Sequence, residues 1–136
     1  MKEEMTITKK LQQLLKLSRT PLSKFQVACI IIDDEGKEYQ GVNIEHPSYK
    51  DGLCAEQVAL NDFFTNRKNK KIKIKEINIM SSHKTQYIYP CFLCREYLFE
   101  LAPKTAIINC YTRRGKVEKH TINDFCPLPF IYKEEK

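Results

Sequence analysis

Apolar residues recur along the chain at two different periods, and the changes of period mark its elements. Over residues 6–19, Ile7, Leu11, Leu14 and Leu15 fall on one helical face, with Lys and Gln elsewhere. Thr6 or Thr8 can cap this helix, and Pro21 lies just past its end. Residues 25–32 carry the continuous apolar run Val27-Ala28-Cys29-Ile30-Ile31-Ile32. A short β-branched run of this kind fits a strand buried on both faces. Asp33-Asp34-Glu35-Gly36 is a turn, and residues 38–43 return as a second strand, so the pair is a hairpin. Residues 46–52 form a loop. A helix is predicted over 54–64, with Ala55, Val58, Ala59 and Phe63 on one face. A strand over 76–80 follows, with Ile77 and Ile79 alternating, then a loop over 81–89. Pro90 is placed to open a helix over 91–101, which Pro103 ends. Residues 106–111 read as a strand, Arg114-Gly115 as a turn, 116–119 as a short fifth strand, and 124–130 as a compact tail.

Helix, hairpin, helix, strand, helix, strand, strand is the order of a layered α/β domain. The strand-helix-strand-helix-strand unit in its middle favours a mixed sheet with helices on its faces. At 136 residues the chain is about one domain on a length prior of roughly 150 residues, so 1–136 is expected to fold as one unit. No stretch approaches the roughly 20 apolar residues of a membrane helix. Residues 1–10 carry Lys and Glu without an apolar core, so no signal peptide is expected and the location expected is cytoplasmic. In that compartment six cysteines are thiols or metal ligands rather than disulfides. The net charge of +6 gathers partly in Arg67, Lys68, Lys70, Lys71, Lys73 and Lys75. This run has no aromatic residue on which a base could stack, and lysine is abundant elsewhere. A solvated linker is therefore favoured over a nucleic-acid patch.

Chemistry concentrates in two short stretches, Leu53-Cys54-Ala55-Glu56 and Pro90-Cys91-Phe92-Leu93-Cys94. Both fall at predicted helix starts. Cys91 and Cys94 are three apart and share a face, a common zinc half-site. Helix N-termini favour anions, so thiolates placed there have lowered pKa values and bind Zn²⁺ well. Three thiolates leave a fourth tetrahedral position open, the mark of a catalytic ion, and zinc brings the pKa of bound water to about 7. Glu56 stands two residues from a ligand, where a carboxylate can move that water's proton. Two alternatives use fewer of these residues. A structural Cys₄ zinc would need Cys29, Cys110 or Cys126, which occur singly without ligand spacing. A redox pair of Cys91 and Cys94 leaves Cys54 and Glu56 without a role.

Cys54-Ala55-Glu56 with Pro90-Cys91-x-x-Cys94-Arg95 resembles the zinc-deaminase signature. The chain is similar to the small one-domain cytidine deaminases that use three cysteine ligands, over nearly its whole length. Ser23-Lys24-Phe25-x-Val27 resembles that family's entry to its first strand, Gly41-Val42-Asn43-Ile44-Glu45 its ribose segment, and Cys126-Pro127-Leu128-Pro129-Phe130 its ending. The resemblance implies a three-layer α/β/α fold with a mixed five-stranded sheet, and one zinc per chain on Cys54, Cys91 and Cys94. It implies Glu56 as proton shuttle, and Asn43 and Glu45 on the ribose hydroxyls. Ala55 would line the base site and Phe25 would flank the base. Phe130 and Tyr49 would reach pockets across subunits of a homotetramer with shared active sites. The implied reaction, a step of pyrimidine salvage, is hydrolysis of cytidine and deoxycytidine to uridine and deoxyuridine with release of ammonia. His46, His83 and His120 match no catalytic position and are expected at the surface.

Three positions depart from the family pattern. Gln57 stands where Arg is common, Phe92 where Gly is, and Glu96 where Gln is. Three thiolates leave the metal centre net negative, which weakens the acidity of its water. Gln57 can offset this only with neutral hydrogen bonds, roughly half as strong as charge-assisted ones. More of the compensation then falls to the helix N-termini and Arg95, and a slower enzyme or one with a higher pH optimum is expected. Other occupants of such a site are a cytosine-bearing antibiotic such as blasticidin S, or a nucleic acid. Glu45 favours a plain nucleoside, and Cys54 argues against a nucleic-acid deaminase, where His is usual. A non-enzymatic zinc module would leave Glu56 idle.

Overall fold

The structure is a computed structural model that describes residues 5–132. Its sheet has five strands: β1 (Val27–Asp33), β2 (Glu38–Val42), β3 (Ile74–Ser81), β4 (Ile107–Tyr111) and β5 (Val117–Thr121). They lie in the order β2-β1-β3-β4-β5. β1 is antiparallel to β2 and β3, β3 is parallel to β4, and β4 is antiparallel to β5. The helices are α1 (Ile7–Leu15), α2 (Ala55–Asn66), α3 (Phe92–Leu101) and the short α4 (Ile122–Phe125). The mixed five-stranded sheet and the α/β class are those expected from the chain.

The connections dictate the layers. β2 runs to β3 through α2, and β3 runs to β4 through α3. Both crossovers travel the same way across the sheet between like-directed strands. Crossovers of this kind are right-handed in almost every protein, which puts α2 and α3 on one face. Alternate strand residues follow suit. Val27, Cys29, Ile31, Ile77, Ile79, Ile108 and Cys110 face a core with Ala59, Leu60, Phe63 and Leu98 from α2 and α3. Ala28, Ile30 and Met80 face the other way, onto Leu11, Leu14 and Leu15 of α1. On that second side Asn109 donates to Asn78 at 2.9 Å, and Asn78 donates to the Ile30 carbonyl at 3.1 Å.

α2 sits unusually close to β2. A Cβ on Gly41 would lie 2.4 Å from the Ala59 nitrogen, 2.5 Å from the Ala55 carbonyl oxygen and 2.9 Å from the Val58 Cβ. The helix backbone thus rests on the one strand position without a side chain. At the other end of the hairpin, Asp33 is buried yet fully partnered. It accepts from the Tyr39 hydroxyl at 2.8 Å and from the Glu35 and Lys37 amides at 2.8 and 3.0 Å. Burial alone would raise its pKa, but these donors hold the carboxyl below its usual 3.8.

Several boundaries differ from those the pattern predicts. α1 ends at Leu15 rather than at residue 19, because Arg19 pairs with the neighbouring strand end. Its N–H donates to Asn43 and its carbonyl accepts from Glu45. Pro90 precedes the N-cap, which is Cys91, so α3 starts at Phe92. The basic run is no free linker: Ile72 and Ile74 are buried, and the Arg67 guanidinium lies 4.8 Å over the Phe64 ring. The tail holds an unpredicted helical turn, α4, closed by reciprocal bonds between Thr121 and Asp124.

Gly41→Ala is expected to destabilise the fold by about 2–3 kcal/mol in urea titrations, because overpacking against helix backbone cannot relax by side-chain motion. Tyr39→Phe is expected to cost about 1.5–3 kcal/mol at pH 7, the usual range for a hydrogen bond to a charged group. The Asp33 pKa is lowered in the folded state, so its contribution is complete above 3.8 and fades as pH falls through the folded value. The gap between wild type and Tyr39→Phe should therefore narrow in urea titrations as the pH is taken below 3.8.

Candidate active site

α2 and α3 begin at the same end of the sheet, and each begins with a cysteine. Cys54 is the N-cap of α2 and Cys91 that of α3, both with extended backbone. Cys94 lies in the first turn of α3 and is fully buried. The three Sγ atoms lie within 4.8 Å of one another, and those of Cys54 and Cys91 are 3.7 Å apart. A tetrahedral zinc with Zn–S bonds of 2.3 Å places its sulfurs about 3.8 Å apart, so this donor set fits the ion. Cys29 and Cys110 are buried in the sheet core and Cys126 lies in the tail. Among the described residues none of these joins the cluster.

The thiols are not equivalent. Hydrogen bonds from Cys94 and Cys91 outweigh burial and hold Cys54 down to about 6. The same interaction with Cys54 pushes Cys94 well up. The cluster thus holds one thiolate readily, at a helix end whose dipole favours it. Beside it, Glu56 is only 4% exposed. Burial, reinforced by the Cys54 charge, pushes its carboxyl up to about 7, where it can both take and release a proton near neutrality.

These groups open onto a cavity of about 410 Å³, within the roughly 300–1,000 Å³ usual for small-molecule sites. Its walls include Phe25, Asn43, Glu45, Cys54, Ala55, Glu56 and Cys91. The structure thus gathers these residues from the strand entries, the β2 end and both helix starts into one concavity. Asn43 is a brace as well as a wall: its Oδ1 accepts from the Val27 amide at 2.9 Å, and its Nδ2 donates to the Phe25 carbonyl at 2.8 Å. Glu45 Oε1 accepts from the Leu22 and Ser23 amides at 3.0 and 3.1 Å. Bonding with Ser23, stronger than the small burial effect, holds this carboxyl below its usual range.

Other predicted site residues lie outside the cavity. Phe130 is 70% exposed and borders a separate hollow with Phe92, Arg95 and Phe125. The Tyr49 side chain lies outside the described residues; its backbone forms a 3₁₀ turn over Tyr49–Asp51. Gln57 Oε1 accepts from the Cys54 amide at 2.8 Å and so helps hold the helix start. Arg95 donates to the Pro90 carbonyl at 2.7 Å, and its guanidinium lies over the Phe92 and Phe125 rings at 4.5 and 5.0 Å.

Sequence patterns missed several wall residues, among them His46, Ile88 and Tyr89. His46 had been expected at the surface; it is exposed but borders the cavity, its Nδ1 accepting from the Ser48 amide at 3.0 Å. His120, also expected at the surface, is half-buried against Tyr89 and Phe125. Only the place of Tyr89, just before Pro90-Cys91, could have drawn attention to it.

Known proteins resemble the chain in sequence and fold. Residues 1–110 match the family model described as the cytidine and deoxycytidylate deaminase zinc-binding region. The chain is 34% identical over 113 residues to a cytidine deaminase of Mycoplasma pneumoniae, covering 83% of each. It is 31% identical over 118 residues to that of Mycoplasma genitalium, covering 87% of this chain and 88% of the other. The crystal structure of cytidine deaminase from Burkholderia pseudomallei superposes with a TM-score of 0.76 at 26% identity, over 93% of this chain and all of that one. With the family model spanning most of its length and a three-cysteine cluster at its helix starts, the chain belongs to the cytidine and deoxycytidylate deaminase family of zinc-binding proteins.

Proposed function

We infer that the protein is a zinc-dependent hydrolase that converts cytidine and deoxycytidine to uridine and deoxyuridine, a step of pyrimidine salvage. One observation carries this: the 3.7 Å pair of Cys54 and Cys91, joined by Cys94, shares a cavity wall with a buried carboxyl poised near neutrality. In the reaction a C4–N bond breaks, a C4–O bond forms, and ammonia leaves. Cys54, Cys91 and Cys94 would hold a zinc ion, which when bound would supply water made more acidic than in bulk. Glu56 takes one proton from the water and gives it to the ring N3, then takes the second from the oxygen now on C4 and gives it to the departing amine, so the two hydrogens of water end on N3 and in ammonia. Burial holds the Glu56 carboxyl near neutrality, so one group can both accept and release a proton at neutral pH.

The remaining residues bind and orient. Glu45 has Oε1 occupied by two amides and keeps Oε2 as an acceptor for a ribose hydroxyl. Asn43 keeps one amide hydrogen for the same sugar. Phe25, at the cavity wall and half-exposed, offers a ring face to the base, and Ala55 closes the pocket floor at the start of α2. This sugar-binding pair supports a plain nucleoside over an antibiotic derivative or a nucleic acid. The 136 residues act as a single domain in this scheme. Among the described residues no helix is long and apolar enough to cross a membrane.

A homotetramer with shared active sites completes the scheme. Phe92, Leu128 and Phe130 are 80%, 95% and 70% exposed near one hollow. A cluster of large apolar side chains so exposed marks an interaction surface, and another copy of the chain, bringing Phe130 or Tyr49 to a neighbour's pocket, is the partner proposed.

Ammonia release is expected from cytidine and deoxycytidine, and not from adenosine, blasticidin S or a cytosine-containing oligonucleotide. Glu56→Gln should lower kcat by at least about 100-fold, the usual scale of a general acid–base residue, with zinc still at one per chain. Full activity in Glu56→Gln would refute the mechanism, and zinc-loaded wild type silent on every substrate would leave only a binding module. Light scattering should return four times the chain mass, and Phe130→Ala should raise KM for cytidine. A monomer of undiminished kcat/KM would rule out shared sites.

A further inference from the structure

Tyr89 stands at the cavity wall, two residues before Cys91, and is held from behind by groups with no other evident task. Its hydroxyl donates to Glu118 Oε1 at 2.7 Å. The same oxygen lies 2.6 Å from His120 Nε2, and His120 Nδ1 lies 3.6 Å from Asp124 Oδ2. The Tyr89 ring meets His120 edge-on at 5.7 Å and Phe125 at 5.5 Å, while His120 and Phe125 are 4.8 Å apart. β5 and α4, far from the metal ligands in sequence, thus clamp one aromatic ring at its tip and along its side. The hydroxyl is turned to Glu118, so what Tyr89 brings to the cavity is ring carbon.

We propose that Tyr89 is a specificity-determining residue that limits the size of the substituent at C5 of the pyrimidine, and that Glu118 and His120 are its positioning residues. The proposal rests on the cytidine deaminase assignment. With C4 at the metal cluster and Glu56 serving N3, the ring edge on the other side of C4 is C5. Ile88 and Tyr89 line the cavity and lead directly into Cys91, and this is the wall assigned to that edge. A ring free to rotate could swing aside for a larger base. A ring tied at its hydroxyl and packed on two neighbours resists that swing, so the clamp turns a wall into a size limit.

The test compares zinc-loaded wild type, Tyr89→Ala, Tyr89→Phe and Glu118→Ala on two ratios. One is kcat/KM for 5-methylcytidine over cytidine. The other is the affinity for 5-methyluridine over uridine, which needs no turnover. Both ratios are independent of the fraction of protein that is folded. Tyr89→Ala should raise each by about tenfold or more, the scale on which a pocket discriminates one carbon. Tyr89→Phe and Glu118→Ala, which break the same hydrogen bond from its two ends, should raise them in the same direction by a smaller and similar factor. Unchanged ratios in Tyr89→Ala would overturn the assignment of the wall. A shift in Tyr89→Ala with none in Glu118→Ala would overturn the role of the clamp. If wild type turned over no nucleoside but the affinity ratio moved in Tyr89→Ala, the deaminase assignment would fall and the wall would stand.

Discussion

Two crossovers of one hand, travelling in one direction, place two helices on the same face with their N-termini at the same end of the sheet. Everything distinctive about this molecule follows from that constraint. The N-terminal ends of α2 and α3 repel one another electrostatically, since each carries unsatisfied N–H groups and the positive end of a dipole. Negative charge set between them relieves the conflict. The chain supplies sulfur at both N-caps and a third sulfur one turn inside, and these same groups fit a doubly charged ion. Helix start and metal ligand are therefore one position, and the ligand spacing is set by how the helices pack.

The carboxyl beside this cluster is costly for the fold and useful to the chemistry for the same reason. Glu56 occupies the first turn of α2, where a helix end favours its charge, yet it is almost wholly excluded from water. Exclusion wins, and the proton is held up to near neutrality. Glu45, under the same roof but closer to solvent and bonded by two amides, is held on the ionised side. Two carboxylates in one cavity are thus driven apart in pKa, one towards proton transfer and one towards hydrogen-bond acceptance.

Most of the architecture was legible in the sequence because the burial periods are clean. The apolar run of β1 and the alternation in β3 announce a strand with two covered faces, and the Leu rows of α1 announce its cover. The ligands and Glu56 were legible because their spacing has few other uses. What escaped depends on partners distant in the chain. α1 stops early because Arg19 finds a strand to pair with, which no local propensity reports. Ile72 and Ile74 pull the lysine-rich run onto the core although most of its residues are charged. Gln57, read as a weak donor to the thiolates, is an acceptor from the Cys54 amide. Tyr89 had no motif to mark it, since its role arises from Glu118 and His120 about thirty residues later.

Gly41 constrains how this sequence can change over generations. Any larger residue there meets the backbone of α2 rather than a movable side chain, so the helix must be lifted first. Lifting α2 carries Cys54 and Glu56 away from Cys91 and Cys94, because the helix and its cap move as one. Enlarging position 41 therefore strains the helix that carries two of the site's residues, and a smaller residue at Val58 relieves only the side-chain part of the clash. The α1 side of the sheet is packed differently: Leu11, Leu14 and Leu15 form one buried apolar cluster with Ala28, Ile30 and Met80, with no glycine among them. Hydrophobic exchanges of similar volume can accumulate there. Descendants of this chain are free to drift on one face of the sheet and held in place on the other.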